Sequence, residues 1–377
     1  MNTTGGARLR RLTASWLLLS TCIVIARPSQ HAYALDVNKL QTKARQGYVD
    51  QQLKLGEAYL TGNGLPQSAA NAEYWYEKAA NSGNAEAANL VGYMYQAGVG
   101  VPADPARAIR WFELSAGSGC SNALINLGIL HMMGIGVPKD PARAAEYFRR
   151  ALAHGNGTGA AYLGIMAYFG IGTEKDSKAA EHWFKTGQKL DDPISTYDLG
   201  SFYSSAPEHP SEPAKAAKYL RMAADANYLP AMQSLGILLI HHPELARDRN
   251  EATRRLQAAA DNGSWQASLV LGVMAHTGTG TAVDNKAAYF HLRLAMLQGG
   301  TAAQKLTESH INGVVSMLEE QQARAIEAEA VAWFQQHSAA PVLVRTKGQS
   351  PRFFADPFLQ GSQDILNASL PFENPAS

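Results

Sequence analysis

Few side chains in this sequence have the type and spacing that chemistry requires. His241-His242 with Glu244 could touch a metal, but adjacent histidines at a helix end point apart and no third ligand stands close, so no metal is expected. Acyl transfer and hydrolysis need a nucleophile beside a base, and Ser-x-x-Lys, Gly-x-Ser-x-Gly, His-Glu-x-x-His and Cys-x-x-Cys are all missing. Gly-x-Gly occurs repeatedly but never runs into the Gly-Lys-Ser/Thr that cradles a phosphate. The residues therefore predict no catalytic group and no cofactor.

What positions the remaining side chains is a period. Leu55-Gly56, Val91-Gly92, Leu127-Gly128, Leu163-Gly164, Leu199-Gly200, Leu235-Gly236 and Leu271-Gly272 follow one another at a constant step of 36 residues. An alanine column (Ala72, Ala108, Ala144, Ala180, Ala216, Ala252, Ala288) and a bulky column (Tyr76, Phe112, Phe148, Phe184, Leu220, Leu256, Leu292) keep the same step. Within a unit, Ala87, Leu90, Val91 and Met94 recur at helical offsets and define a helix A. It stops at Gly98-Val99-Gly100, and Gly134-Ile135-Gly136, Gly170-Ile171-Gly172 and Gly278-Thr279-Gly280 repeat the stop. Helix B opens at Asp104-Pro105 and Asp140-Pro141, where a carboxylate can cap free amides and proline loses nothing; Asp176, Asp248 and Asp284 share that column.

Each unit is thus a helical hairpin, and a hairpin alone is not stable. Ordering 36 residues costs about 50 kcal/mol, which needs roughly 2,000 Å² of buried apolar surface to offset. Neighbouring hairpins must cover one another, so the expected fold is an all-α solenoid.

The unit resembles the Sel1-like repeat, a relative of the tetratricopeptide repeat. Gly92, Tyr95, Gly98, Gly100, Asp104, Ala108, Trp111, Phe112, Ala116 and Gly119 carry the likeness most fully, and it extends from Gly47 to Gly299. The resemblance implies a right-handed α-solenoid of about seven hairpins with a C-terminal capping helix. It also implies a non-enzymatic adaptor for envelope or secreted proteins, in exopolysaccharide control, secretion, motility or host contact. The rival reading is a binder of cell-wall fragments (peptidoglycan or β-lactam) or a hydrolase, as in disulfide-bonded relatives. Their paired cysteines are missing here. By analogy with tetratricopeptide grooves, a partner surface on helix A would include Tyr93, Ile129, Ile165, Ile237 and Val273, with Gln96, Met132, Phe169 and Phe202 close by. Apolar residues at helical spacing more often serve the core between repeats, and periodicity does not say which side of helix A faces a groove.

The ends differ from the middle. Arg8, Arg10 and Arg11, the apolar run from Leu12 to Ala26 and Ala32-Tyr33-Ala34 read as an export signal over 1–34, cut after Ala34, and so as a periplasmic or secreted protein. An uncleaved anchor and a weak lipobox at Leu19-Ser20-Thr21-Cys22 are the alternatives. Without the signal no apolar run is long enough for a stable membrane span, and Cys120 alone can close no internal disulfide. Lys and Arg total 33 against 32 Asp and Glu, a balance that argues against nucleic acid as a partner. The predicted organisation is a lead-in over 35–47, seven repeats over 48–299, capping helices over 300–337 and a proline-rich tail over 338–377 that reads as disordered. The turns near 206–210 and 242–244 carry proline in place of glycine, so two hairpins must turn differently.

Overall fold

The computed structural model describes residues 36–205 and 212–337, and every regular element among them is helical. The export signal, the turn at 206–210 and the tail lie outside the described residues. Helix α1 (Val37–Arg45) precedes the pairs α2 (Val49–Thr61) and α3 (Ala69–Asn81), α4 (Ala85–Ala97) and α5 (Pro105–Gly117), α6 (Ser121–Met133) and α7 (Pro141–Ala153), α8 (Gly157–Phe169) and α9 (Ser177–Gln188). The series continues with α10 (Pro193–Ser205) and α11 (Pro213–Asp225), α12 (Leu229–His241) and α13 (Glu251–Asp261), α14 (Trp265–Thr277) and α15 (Asn285–Val315), and ends at α16 (Glu320–His337). The chain forms two compact units divided between Leu199 and Gly200.

In the first unit, the columns seen in the sequence explain one another. A Cβ added at Gly92 would lie 2.7 Å from the Phe112 ring, and one at Gly56 would lie 2.6 Å from the Tyr76 ring. Gly128 faces Phe148 and Gly164 faces Phe184 in the same way. Helix A thus lacks a side chain where helix B inserts a ring, and Ala72, Ala108, Ala144 and Ala180 are fully buried beside these contacts. The predicted caps form as well. Asp104 Oδ1 accepts from the Arg107 amide at 3.0 Å, Asp140 from Arg143 at 3.0 Å and Asp176 from Ala179 at 2.9 Å.

The turn between helices A and B has a fixed construction. Gly98 ends α4 in the left-handed conformation, with φ 69°. The Asp104 amide then donates to the Tyr95 carbonyl at 2.7 Å, and Asp140 to His131 and Asp176 to Ala167 repeat that clip at 2.8 and 2.9 Å. The second glycine of the motif has another duty. A Cβ on Gly136 would come within 2.6 Å of Pro105, and one on Gly172 within 2.5 Å of Pro141, so each turn seats against the start of the preceding helix B. Between hairpins the chain passes through positive φ at Gly83, Gly119 and Gly155, and Asp191 takes the same role at φ 55°.

Helix α1 occupies what the sequence left as a plain lead-in. Leu40 and Ala44 pack against Leu55, Ala58 and Trp75, while Gln52 Nε2 donates to the Ala44 carbonyl. The hydrophobic start of the first hairpin is covered by this helix.

The second unit keeps the glycine-to-bulky pairing. Cβ atoms on Gly200, Gly236 and Gly272 would lie 2.9, 2.6 and 2.7 Å from Leu220, Leu256 and Leu292. Its hairpin α12/α13 turns differently, as its proline requires. A single 3₁₀ turn (Pro243–Leu245) follows α12, and Asp248 does not cap helix B as its column predicts: α13 begins only at Glu251, and Asp248 accepts from the Asn250 amide and from Arg254. Glu251 holds this loop in place of a glycine stop. Its carboxylate accepts from Arg221 Nε at 2.7 Å, Arg221 Nη2 at 3.0 Å and the Arg247 amide at 2.7 Å, and Arg221 also donates to the Leu245 carbonyl at 2.9 Å. Burial pushes the Glu251 carboxyl up, but the Arg221 and Arg247 hydrogen bonds outweigh it and hold the group below its usual range.

After α14 the period ends at Gly300, where non-helical φ/ψ (53°, −134°) kinks α15. Ala303, Ile311 and Val314 beyond the kink bury against Trp265, Leu292 and, from α16, Ala323. Glu320 and Arg324 face water as an exposed pair. Glu327, still partly exposed, pairs with Arg293 of α15.

Candidate interaction surface

In the middle repeats of the first unit, helix A is interior on every side. Residues 87–96 of α4, 123–132 of α6 and 157–167 of α8 are all buried. Among the residues that register assigns to a groove, Tyr93, Gln96, Ile129, Met132, Ile165, Phe202, Ile237 and Val273 are each less than a tenth exposed. They belong to the packing between hairpins. Phe169, at 40%, is the one of the set that meets solvent. The signal for this was in the sequence: segments such as Gly157–Phe169 are apolar around the whole helix, and such a helix is buried rather than amphipathic. One polar pair within this layer links two hairpins: Asn126 Nδ2 donates to Asn89 Oδ1 at 2.9 Å.

The accessible surface is therefore made by helix B and the turns. At the turn before α5, Tyr95 donates to Glu73 Oε1 at 2.6 Å and accepts from Arg107 Nη1 at 2.8 Å, with the guanidinium 4.9 Å from the ring centre. Burial, reinforced by the Glu73 contact, pushes the Tyr95 hydroxyl up to about 12. Burial and the Glu73 charge also raise the Glu77 carboxyl. A shallow cleft of about 430 Å³ opens here, lined by Glu73, Tyr95, Arg107 and the loop 101–105.

One hairpin further on, His131 replaces the tyrosine and stacks on Tyr147, with ring centres 5.5 Å apart. Two exposed guanidinium groups share the Tyr147 ring, Arg143 at 5.9 Å and Arg150 at 5.7 Å from its centre. His131 is buried with no partner on Nδ1, and burial together with Arg143 lowers its pKa.

The remaining chemistry-bearing residues stay apart. His242 Nδ1 lies 3.1 Å from Glu244, while burial and the neighbouring His242 lower the pKa of His241. No group of three His, Cys, Asp or Glu is placed to hold a metal among the described residues. Cys120 is a half-buried free thiol at the start of α6.

The Sel1 repeat model matches residues 52–84, 85–120, 121–156, 158–187, 193–228 and 265–300, more than half of the chain. The chain belongs to the Sel1 repeat family. The hairpin that the model passes over contains the Glu251 clasp. A Sel1 repeat protein from Oxalobacter formigenes is similar at 26% identity and a TM-score of 0.50, over 60% of this chain and 91% of that one. A protective antigen of uropathogenic Escherichia coli with an SLR fold is 24% identical, with a TM-score of 0.41 over 84% of this chain and 77% of the other. No curated protein matches the sequence. Sel1 repeat proteins mediate protein–protein interactions and are typically non-catalytic scaffolds. No helix among the described residues is long and apolar enough to cross a membrane.

Proposed function

We propose that this Sel1 repeat protein is a non-catalytic scaffold that holds envelope or secreted proteins in the periplasm or outside the cell. The observation that carries this reading is the distribution of burial. In the first unit the middle helix A segments are consumed by packing, and what remains accessible there is the outer face of helix B and the turns, suited to contact over an area rather than to a reaction at a point. The export part of the proposal rests on the basic, apolar and small-residue order of the first 34 residues.

In-cell crosslinking followed by mass spectrometry tests the scaffold role. A dominant envelope protein joined to helix B residues is the expected result. Absence of any partner, with a thermal shift on adding peptidoglycan fragments, would replace the scaffold with a cell-wall binder. N-terminal sequencing of the mature protein should begin at Leu35, and an intact Met1 would remove the export argument.

A further inference from the structure

The charge balance of the whole chain conceals a local excess. Residues 139–189, which hold α7, α8 and α9, contain eight Lys and Arg against five Asp and Glu. Two of those acids, Asp140 and Asp176, are committed to capping helix amides, and Glu181 is paired with Lys185. Lys139, Arg143, Arg149, Arg150, Lys175 and Lys178 are all exposed and make no ion pair. Lys139 and Lys175 stand one repeat apart, so the positive charge passes from one hairpin to the next.

Arg143 and Arg150 are the ordered part of this patch. Glu146 lies between them on α7, at the helical offsets that usually make ion pairs, yet both guanidinium groups lie over Tyr147 instead. Tyr147 is itself held from beneath by the His131 ring. Guanidinium groups resting on an aromatic face lose little further freedom when they bind, and their unused N–H edges match a carboxylate in bidentate geometry.

We propose that the outer face of α7 and α9 docks an acidic segment of a partner protein, with Arg143 and Arg150 on the Tyr147 ring as its anchor. This rests on the scaffold reading, because that reading makes the ligand a protein. Carboxylates meeting the two shelved guanidinium groups set the position, and Lys139, Lys175 and Lys178 extend the attraction along the segment.

A fluorescein-labelled octaglutamate peptide provides the probe, with binding to the full mature chain followed by anisotropy at low and at physiological ionic strength. The wild-type chain should bind and weaken with salt. The double substitution Arg143→Gln/Arg150→Gln should weaken binding by about tenfold or more, while Lys39→Gln/Lys54→Gln, which removes the same charge from exposed lysines elsewhere, should change it by less than about twofold. All four changed side chains are exposed, and circular dichroism melts matching the wild type confirm that each variant is folded. Equal weakening by the two pairs would reduce the effect to net charge and overturn the proposal. So would binding of polygalacturonate but not octaglutamate, which would assign the face to an acidic glycan. No octaglutamate binding in a chain that still crosslinks to a protein partner would sink this inference and leave the scaffold standing.

Discussion

Replacing Glu251 by glutamine tests how the α12/α13 hairpin turns without a glycine. The substitution preserves volume but removes the charge from a carboxylate whose side chain is only 3% exposed, and leaves Arg221, at 13%, without its counter-ion. Two of the three donors to Glu251 come from that guanidinium, and an amide NH₂ would face one of them or the Arg247 amide. Breaking a buried ion pair from one side costs about 3–5 kcal/mol, much of it the penalty of leaving the other charge buried. Urea melts followed by far-UV circular dichroism should show a loss in that range, and amide exchange should accelerate first over 242–250, the segment that Arg221 and Glu251 pin together. Arg254→Ala, which breaks the solvent-exposed pair with Asp248, is the control and should leave the melt unchanged. A loss below about 1 kcal/mol for Glu251→Gln, the value of an ordinary exposed pair, with exchange over 242–250 unaltered, would show that the clasp does not hold the turn.

Other expectations follow from packing and protonation. Gly92→Ala drives a methyl group into the Phe112 ring and should destabilise by about 1–3 kcal/mol in chemical denaturation, whereas Gly117→Ala in α5, where the new Cβ meets nothing within 4 Å, should stabilise by about 0.5–1 kcal/mol. Burial lowers the His291 pKa from 6.5 to about 4, against a smaller opposing pull from Asp261, so the unfolded chain takes up a proton that the folded one refuses. Stability should therefore fall as pH drops through 6.5 toward 4, with His291 contributing on the order of 3 kcal/mol across that window; melts of His291→Gln at pH 7.5 and 4.5 should show a smaller difference than the wild type. Tyr95→Phe removes one donor and one acceptor from the Glu73 and Arg107 relay and should cost about 1 kcal/mol by the same melts.

Much of the fold was legible because each repeating residue type has one physical duty. Asp104-Pro105 can only open a helix efficiently, and Gly98-Val99-Gly100 can only close one, so boundaries followed from single residues. Spacing alone did not reveal that the glycine and bulky columns are two halves of one contact, although both were visible. Glu251 and Arg221 were beyond reach for a different reason: they lie 30 residues apart in an atypical unit, and nothing local marks either as buried. Asp248 keeps its column position but not its capping role, because the loop before it has changed and α13 starts three residues later. The partner surface was least legible. Helix A of the middle repeats is apolar all round and has no outward face, and of the two arginines on Tyr147 only Arg143 keeps a column, with Arg107, while Arg150 stands where the neighbouring repeats have Leu114 and Thr186.

The second glycine of each turn gives the first unit a direction. Gly136 closes on Pro105 and Gly172 on Pro141, so a hairpin finds the mould for its own bend in the one synthesised before it. A nascent chain emerging from the ribosome would have that mould ready at every step, and deletion of a leading hairpin would leave its successor with a bend and nothing to form it against. Growth from the amino end is thus templated, while growth from the carboxyl end would have to proceed without a guide.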